Sequence, residues 1–309
     1  MKKALFLNLC VSLSAILAPA AARACACGCG IFDVGTSSMF PAKPGGMMFL
    51  DYNYQDQNRN WSGSSRAPAA NNDDKEIRTH FITFGAQYLF NRNWGLQLEV
   101  PLVNRYFKKR GDAGDIVSRN WTDLGDLRLK GIYTGFSEDL STGVTFGFKL
   151  PSGNFRHDPD FVDRDTQIGS GSTDVLLGGF HRQSFTPGSK FKWFAQAEVD
   201  VPFLIQDQYR PGVEVDAAMG AYYEGWSLGK VKITPVAQVL GSVRTRDTGA
   251  NSASPVASGY QRILLSPGIE FALHPVSLYA DVELPVYEHV TGNQIVAPVL
   301  IKVVLSYHF

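Results

Sequence analysis

The chain has 309 residues with 29 basic and 29 acidic side chains, so it has no net formal charge and no excess of basic side chains to bind nucleic acid. Beyond the first 24 residues, no run approaches the ~18 uninterrupted apolar residues of a spanning helix, which excludes a helical membrane protein. Thirty glycines, 20 phenylalanines and 12 tyrosines, with charge scattered through otherwise apolar segments, point to an all-β chain.

Residues 1–24, MKKALFLNLCVSLSAILAPAAARA, pair two lysines with an apolar run and a small-residue end, Ala22-Arg23-Ala24. This is the pattern of a secretory signal peptide cleaved after Ala24. Cleavage leaves 285 residues with 26 basic and 29 acidic side chains, a net charge of about −3. The next segment, 25–45, opens CACGCG, with Cys25, Cys27 and Cys29 at every second position. That spacing is neither a haem-attachment CxxCH nor the paired CxxC of a zinc ribbon. Three readings stay open: disulfide or thiol redox chemistry, a soft metal ion on the thiolates, and lipidation of Cys25, for which Ala22 and Arg23 fit poorly. The irregular stretch that follows is long enough to fold back as a plug or to reach a periplasmic partner.

From residue 46 onward, strict alternation recurs. WGLQLEVPL sets Leu96, Leu98, Val100 and Leu102 against Gln97 and Glu99, and VSLYADVELPV sets Leu278, Ala280, Val282, Leu284 and Val286 against Tyr279, Asp281 and Glu283. Twelve strands are expected, near 46–54, 78–90, 94–107, 122–135, 140–151, 172–185, 191–205, 213–225, 230–243, 259–273, 276–287 and 296–309. Short turns between them alternate with long polar segments at 55–77, 108–121, 152–171, 206–212, 244–258 and 288–295. Loops sorted in this way, an even strand count and both barrel ends on the short-turn side describe a transmembrane antiparallel up-and-down β-barrel over 46–309, in the outer membrane. The final strand ends VVLSYHF, and Tyr307 with the terminal Phe309 forms the aromatic signal read by the barrel assembly machinery.

Charge at the bilayer midplane costs roughly 2–4 kcal/mol for Arg or Lys facing lipid, so the charged face must point inward. Parity then assigns to the lumen Glu99, Asp126, Arg128, Lys130, Lys149, Glu198, Asp200, Glu214, Asp216, Lys230, Lys232, Arg262, Glu270, Asp281, Glu283 and Lys302. Four of these, Glu99, Lys149, Asp200 and Glu283, stand two residues before a proline and fall at a similar height. Mixed signs in a twelve-stranded barrel either line a narrow pore or pair across it.

GSGSTDVLLGG lacks the lysine of a phosphate loop, so its glycines are read as turn residues. The loop HDPDFVDRD carries Asp158, Asp160, Asp163 and Asp165 without a calcium-loop pattern and reads as a solvated loop near lipopolysaccharide. The six histidines show no spacing to a serine nucleophile, so no enzyme is expected.

The stretch 122–183 combines a GD-L strand, a periplasmic turn, a strand ending KLPSG and a return through GSGSTDVLLGG. It resembles the barrel family of proposed transporters of the MetA pathway of phenol degradation. The resemblance implies a small outer-membrane barrel that passes small organic molecules. The leading expectation is therefore an outer-membrane channel for small molecules, small organic or aromatic compounds among them, with no cofactor unless a metal sits at Cys25, Cys27 and Cys29. Its expected partners are outer-membrane lipid and lipopolysaccharide, the barrel assembly machinery and a periplasmic protein met through the N-terminal segment. The alternative is a binding or electron-transfer accessory that works through the cysteine tail, with the barrel as its mount.

Overall fold

A computed structural model describes residues 40–41, 43–111, 113–252 and 255–309. Cys25, Cys27, Cys29 and the signal segment lie outside these residues. The described residues form one closed ring of twelve antiparallel strands. They are β1 (Gly45–Gln57), β2 (Asp74–Leu89), β3 (Trp94–Arg110), β4 (Ile116–Leu124, then Leu127–Tyr133), β5 (Thr142–Leu150) and β6 (Ser172–Ser184). The ring continues through β7 (Phe191–Ile205), β8 (Glu214–Tyr223), β9 (Val231–Arg244), β10 (Tyr260–Leu273), β11 (Val276–Val296) and β12 (Leu300–His308). Each strand pairs with its chain neighbours, and β12 closes on β1 in the register Met47↔His308 through Gln55↔Leu300. Closure leaves no unpaired edge, which a sheet crossing hydrocarbon requires.

Alternation decides which way each side chain points. On β1, Met47, Phe49, Asp51, Gln55 and Gln57 are buried inside the ring, while Met48 is exposed outside. The outer wall is an apolar band that includes Leu98, Leu129, Phe148, Met219, Leu265 and Leu305. Exposed Tyr88, Phe90, Trp94, Phe136, Phe191, Trp226, Tyr307 and Phe309 collar the end that carries the short turns. Amphipathic rings of this kind belong at a membrane–water boundary.

The ring has a turn end, where both ends of the barrel lie, and a loop end. Three expected loops are structured differently. More than half of 55–77 is strand: the end of β1, Arg59–Gly63, Ser65–Arg66 and the start of β2. Residues 288–295 form the last part of β11, paired with a short strand, Arg59–Gly63, through Gln294↔Trp61 and Ile295↔Asn60. Residues 108–121 are mostly the ends of β3 and β4, joined where the Gly114 N–H donates to the Gly111 carbonyl. These stretches are polar and project past the apolar band, so backbone pairing rather than alternation marks them as strand.

At the turn end the interior is filled by the apolar cluster residues Met47, Phe49, Ile132, Phe180, Phe194 and Tyr222. Gly85 on β2 makes room for it: a Cβ there would lie 1.9 Å from the Phe49 ring, so only glycine lets that ring lie across the wall.

Candidate functional site

Above the apolar cluster the wall turns polar and charged. Lys130 on β4 lies 3.3 Å from both Glu99 on β3 and Glu198 on β7, and all three are buried. Lys149 on β5 pairs with Asp200 on β7 at 2.7 Å and with Asp174 on β6. These two lysines answer a particular problem. The β7–β8 register sets Glu198 opposite Asp216 and Asp200 opposite Glu214, and like charges directly opposite destabilise a sheet by roughly 0.2–1 kcal/mol a pair. Lys130 on Glu198 and Lys149 on Asp200 offset that repulsion. Glu214 also accepts from the Tyr260 hydroxyl at 2.5 Å and from Ser242 at 3.3 Å.

On the other side of the ring, Lys302 pairs with Asp51 at 3.5 Å. Asp281 accepts from Tyr279, Ser266 and Gln238 at 2.7, 2.8 and 3.1 Å. Glu283 and Arg262 are buried on the same inner face, and Glu270 is half-buried there. Arg128 stands on β4 between Glu99 and Lys149 in register. Two residues assigned to the lumen lie elsewhere. Lys230 occupies the exposed turn after Gly229, and Lys232 is exposed at the turn-end rim, because the β8–β9 hairpin extends past the ring as Trp226–Leu228 paired with Val231, Lys232 and Ile233. Asp51, Arg105 and Asp174, absent from the sequence-level assignment, are buried inside, although the parity of their own strands would have found them.

Loop 151–171 folds into the loop end of the barrel rather than out into solvent. Val162, Thr166 and Gln167 are buried. Arg105 on β3 donates from Nη1 to the carbonyls of Thr166 and Gln167 at 2.6 and 3.2 Å. Asp126, at the break in β4, accepts from the backbone N–H of Gly153 and Ser170 at 3.0 and 2.8 Å and from the Ser170 hydroxyl. The two limbs of the loop cross at its neck, where a Cβ on Gly169 would lie 2.2 Å from the Gly153 carbonyl oxygen. The aspartates of HDPDFVDRD therefore separate: Asp158 binds Arg119 at 2.7 Å, Asp163 reaches Lys109 at 3.5 Å, and Asp165 goes inside. Among the described residues no three His, Cys, Asp or Glu side chains form a metal-ligand group.

Beneath and beside this loop is a chamber of about 170 Å³, walled by strands β2–β5 and β7–β9, the inserted loop and the β7–β8 loop. The charged groups of its wall include Arg105, Arg128, Lys149, Arg164, Arg244, Glu99, Asp126, Asp200 and Glu214. Arg164 is sandwiched with its guanidinium 4.7 Å from the Phe155 ring and 4.2 Å from the Tyr209 ring. Asp247 ties the neighbouring loops together by accepting from Arg244 and Gly212 N–H at 2.7 and 2.8 Å and from the Tyr209 hydroxyl at 2.9 Å.

The turn end is stoppered too. Phe40 enters the ring with its centroid 5.3 Å from those of Phe180 and Phe194, and Arg182 donates to the Pro41 carbonyl at 2.9 Å. Short-range alternation gives no sign of this contact, because Phe40 precedes the first strand. The one close Ser–His pair outside the lumen, Ser64 with His289 Nδ1 at 2.8 Å, is exposed on the protruding hairpin, and no carboxylate is hydrogen-bonded to that ring among the described residues.

Fold and interior together define an outer-membrane β-barrel with an ionisable lumen. The chain is similar to an outer-membrane channel of Pseudomonas putida F1, with 12% identity and a TM-score of 0.65 over 90% of this chain and all of that one. It is also similar to the β domain of the Bordetella autotransporter BrkA, with 13% identity and a TM-score of 0.51 over 86% of this chain and all of that one. At such identities the likeness concerns the fold. No family model matches the chain and no curated protein matches it, so the resemblance over 122–183 rests on sequence alone.

Proposed function

We propose that this protein is an outer-membrane channel for small polar or organic molecules, closed at both ends in the present state. The observation that carries the reading is the composition of the lumen. A barrel serving only as a mount gains more by filling its interior with packed apolar side chains, as the turn end does, because burying ion pairs is at best neutral against hydrophobic packing. Here Lys130, Lys149 and Lys302 with their carboxylates occupy the middle of the ring instead. Ionisable walls suit a path that water and solutes enter.

The likeness to a channel of Pseudomonas putida F1 agrees with this reading. Small organic solutes, as the resemblance over 122–183 implies, are the finer version of it, with Phe40 and loop 151–171 as the obstacles to be moved. Single-channel recording in planar bilayers, or swelling of proteoliposomes in sugars and small organic acids, tests the proposal. Measurable conductance on displacing both obstacles supports it, and a folded barrel that stays impermeable with both removed defeats it.

A further inference from the structure

Most anchors of loop 151–171 are bonds to backbone carbonyls or backbone N–H groups, or ion pairs such as Arg119–Asp158. One side chain differs. Asp165, on the short 3-10 turn Arg164–Thr166, is 8% exposed and forms part of the chamber wall, yet neither of its carboxylate oxygens reaches a donor at hydrogen-bonding geometry. The backbone N–H groups of Asp165 and Thr166 lie near enough only to temper this.

The groups that surround Asp165 come from several elements. Arg244 of β9 donates to Asp247, and the Tyr209 hydroxyl of the β7–β8 loop does the same. Arg105 of β3 directs Nη1 at two carbonyls of the inserted loop, and Arg164 is held between two rings. Asp247 is an acid that repels a charge on Asp165, and Glu214 of β8 lines the same chamber. The other charged wall residues are Glu99, Asp126, Arg128, Lys149 and Asp200, and Lys149 is matched to Asp200. A carboxylate buried without a donor is far more costly than a buried neutral acid.

We propose that protonated Asp165 latches loop 151–171 into the loop end, and that its ionisation releases the loop, so that the channel is gated by protons and opens on the alkaline side. The inference rests on the channel reading above and gives its regulation. Burial raises the Asp165 acid to about 7, with Asp247 adding to the rise and Arg244 opposing it. Once the loop is in water the carboxyl regains its ordinary acidity and its proton goes to solvent. The docked loop thus binds more protons than the released loop. Release is favoured about tenfold per pH unit between about 4 and about 7, and the gain levels off above about 7.

The test is open probability in planar bilayers from pH 5 to pH 8, each protein carrying Phe40→Ala to open the turn end: the chain otherwise wild type, Asp165→Asn, Asp165→Glu and a barrel lacking residues 155–167. The wild type should open up to about a hundredfold more at pH 8 than at pH 5. Asp165→Glu should keep the slope and Asp165→Asn should be flat at whatever level it sits. A wild type with no slope, or an Asp165→Asn variant that retains it, overturns the latch. The shortened barrel should conduct at every pH. If it is folded but silent, the channel reading fails, which is a separate outcome from failure of the latch.

Discussion

Lys130 is 4% exposed between two buried carboxylates, and that position makes it the residue whose loss the barrel should feel most. Replacing it by methionine keeps the volume but takes from Glu99 and Glu198 the cation they share. Stripping one partner from a buried pair costs about 3–5 kcal/mol, because the remaining charge is uncompensated. The Lys130→Met barrel is therefore expected to lose about 3 kcal/mol in urea unfolding followed by heat-modified gel mobility. The Lys192–Glu224 pair is a control of the same chemistry in another setting. It is 2.6 Å long but its side chains are 32% and 44% exposed at the turn end, so Lys192→Met should cost below about 1 kcal/mol. Equal losses in the two variants would show that the lumen around Lys130 is as wet as the surface. Asp165 is the reverse case, a buried acid with no cation committed to it, and its titration is the residue-scale event on which the loop depends.

At the scale of elements, two segments close the barrel by different physics. Loop 151–171 is seated by directional bonds and by the crossing of its limbs, where Gly169 fits only because it lacks a Cβ. Gly169→Ala must push the limbs apart, and Asp126 then loses its hold on Gly153 and Ser170. Once the turn end is open, the expected result is a higher conductance at every pH with unfolding of the barrel unchanged, since no wall strand is touched. The segment at Phe40 is seated by aromatic packing, which is non-directional. Phe40→Ala should free the turn end, and because the two obstacles lie in series the double variant with Gly169→Ala should gain more conductance than the two single variants summed. Recording the double variant checks this. A double variant no more conductive than either single one would mean that the lumen between them, with its lysine–carboxylate pairs, is the true constriction.

For the whole molecule, closure of the ring is decided at the seam between β1 and β12. Phe309 completes it through its backbone, with N–H and carbonyl bonded to Gly46 at 2.9 and 2.8 Å. Its ring lies over Gly46, where a Cβ would meet it at 2.3 Å. The same ring stacks near Tyr88 and Tyr307 in the collar. Removing Phe309 should therefore reduce the fraction of chain recovered as heat-modifiable barrel in outer-membrane fractions, more than Tyr307→Ala does, because only the first change breaks seam hydrogen bonds. Comparable yields for the two variants would assign the terminal aromatic to the collar alone.

Alternation by itself determined the twelve strands, the direction in which Glu99, Lys149, Asp200 and Lys302 point, and the turn-end position of Phe309. A strand's two faces see lipid and lumen, so residue order encodes them directly. The register that sets Glu198 opposite Asp216, the matching of Lys149 to Asp200 across 51 residues of chain, and the insertion of Phe40 and Asp165 from either end were decided only by tertiary structure. These contacts join segments with no shared period. Lys230 and Lys232 illustrate the boundary: parity is blind to where the ring ends, so a hairpin that runs past the wall carries inward-facing positions into solvent. Strand pattern is a local property of the chain, whereas what closes a barrel depends on which distant segments meet when it forms.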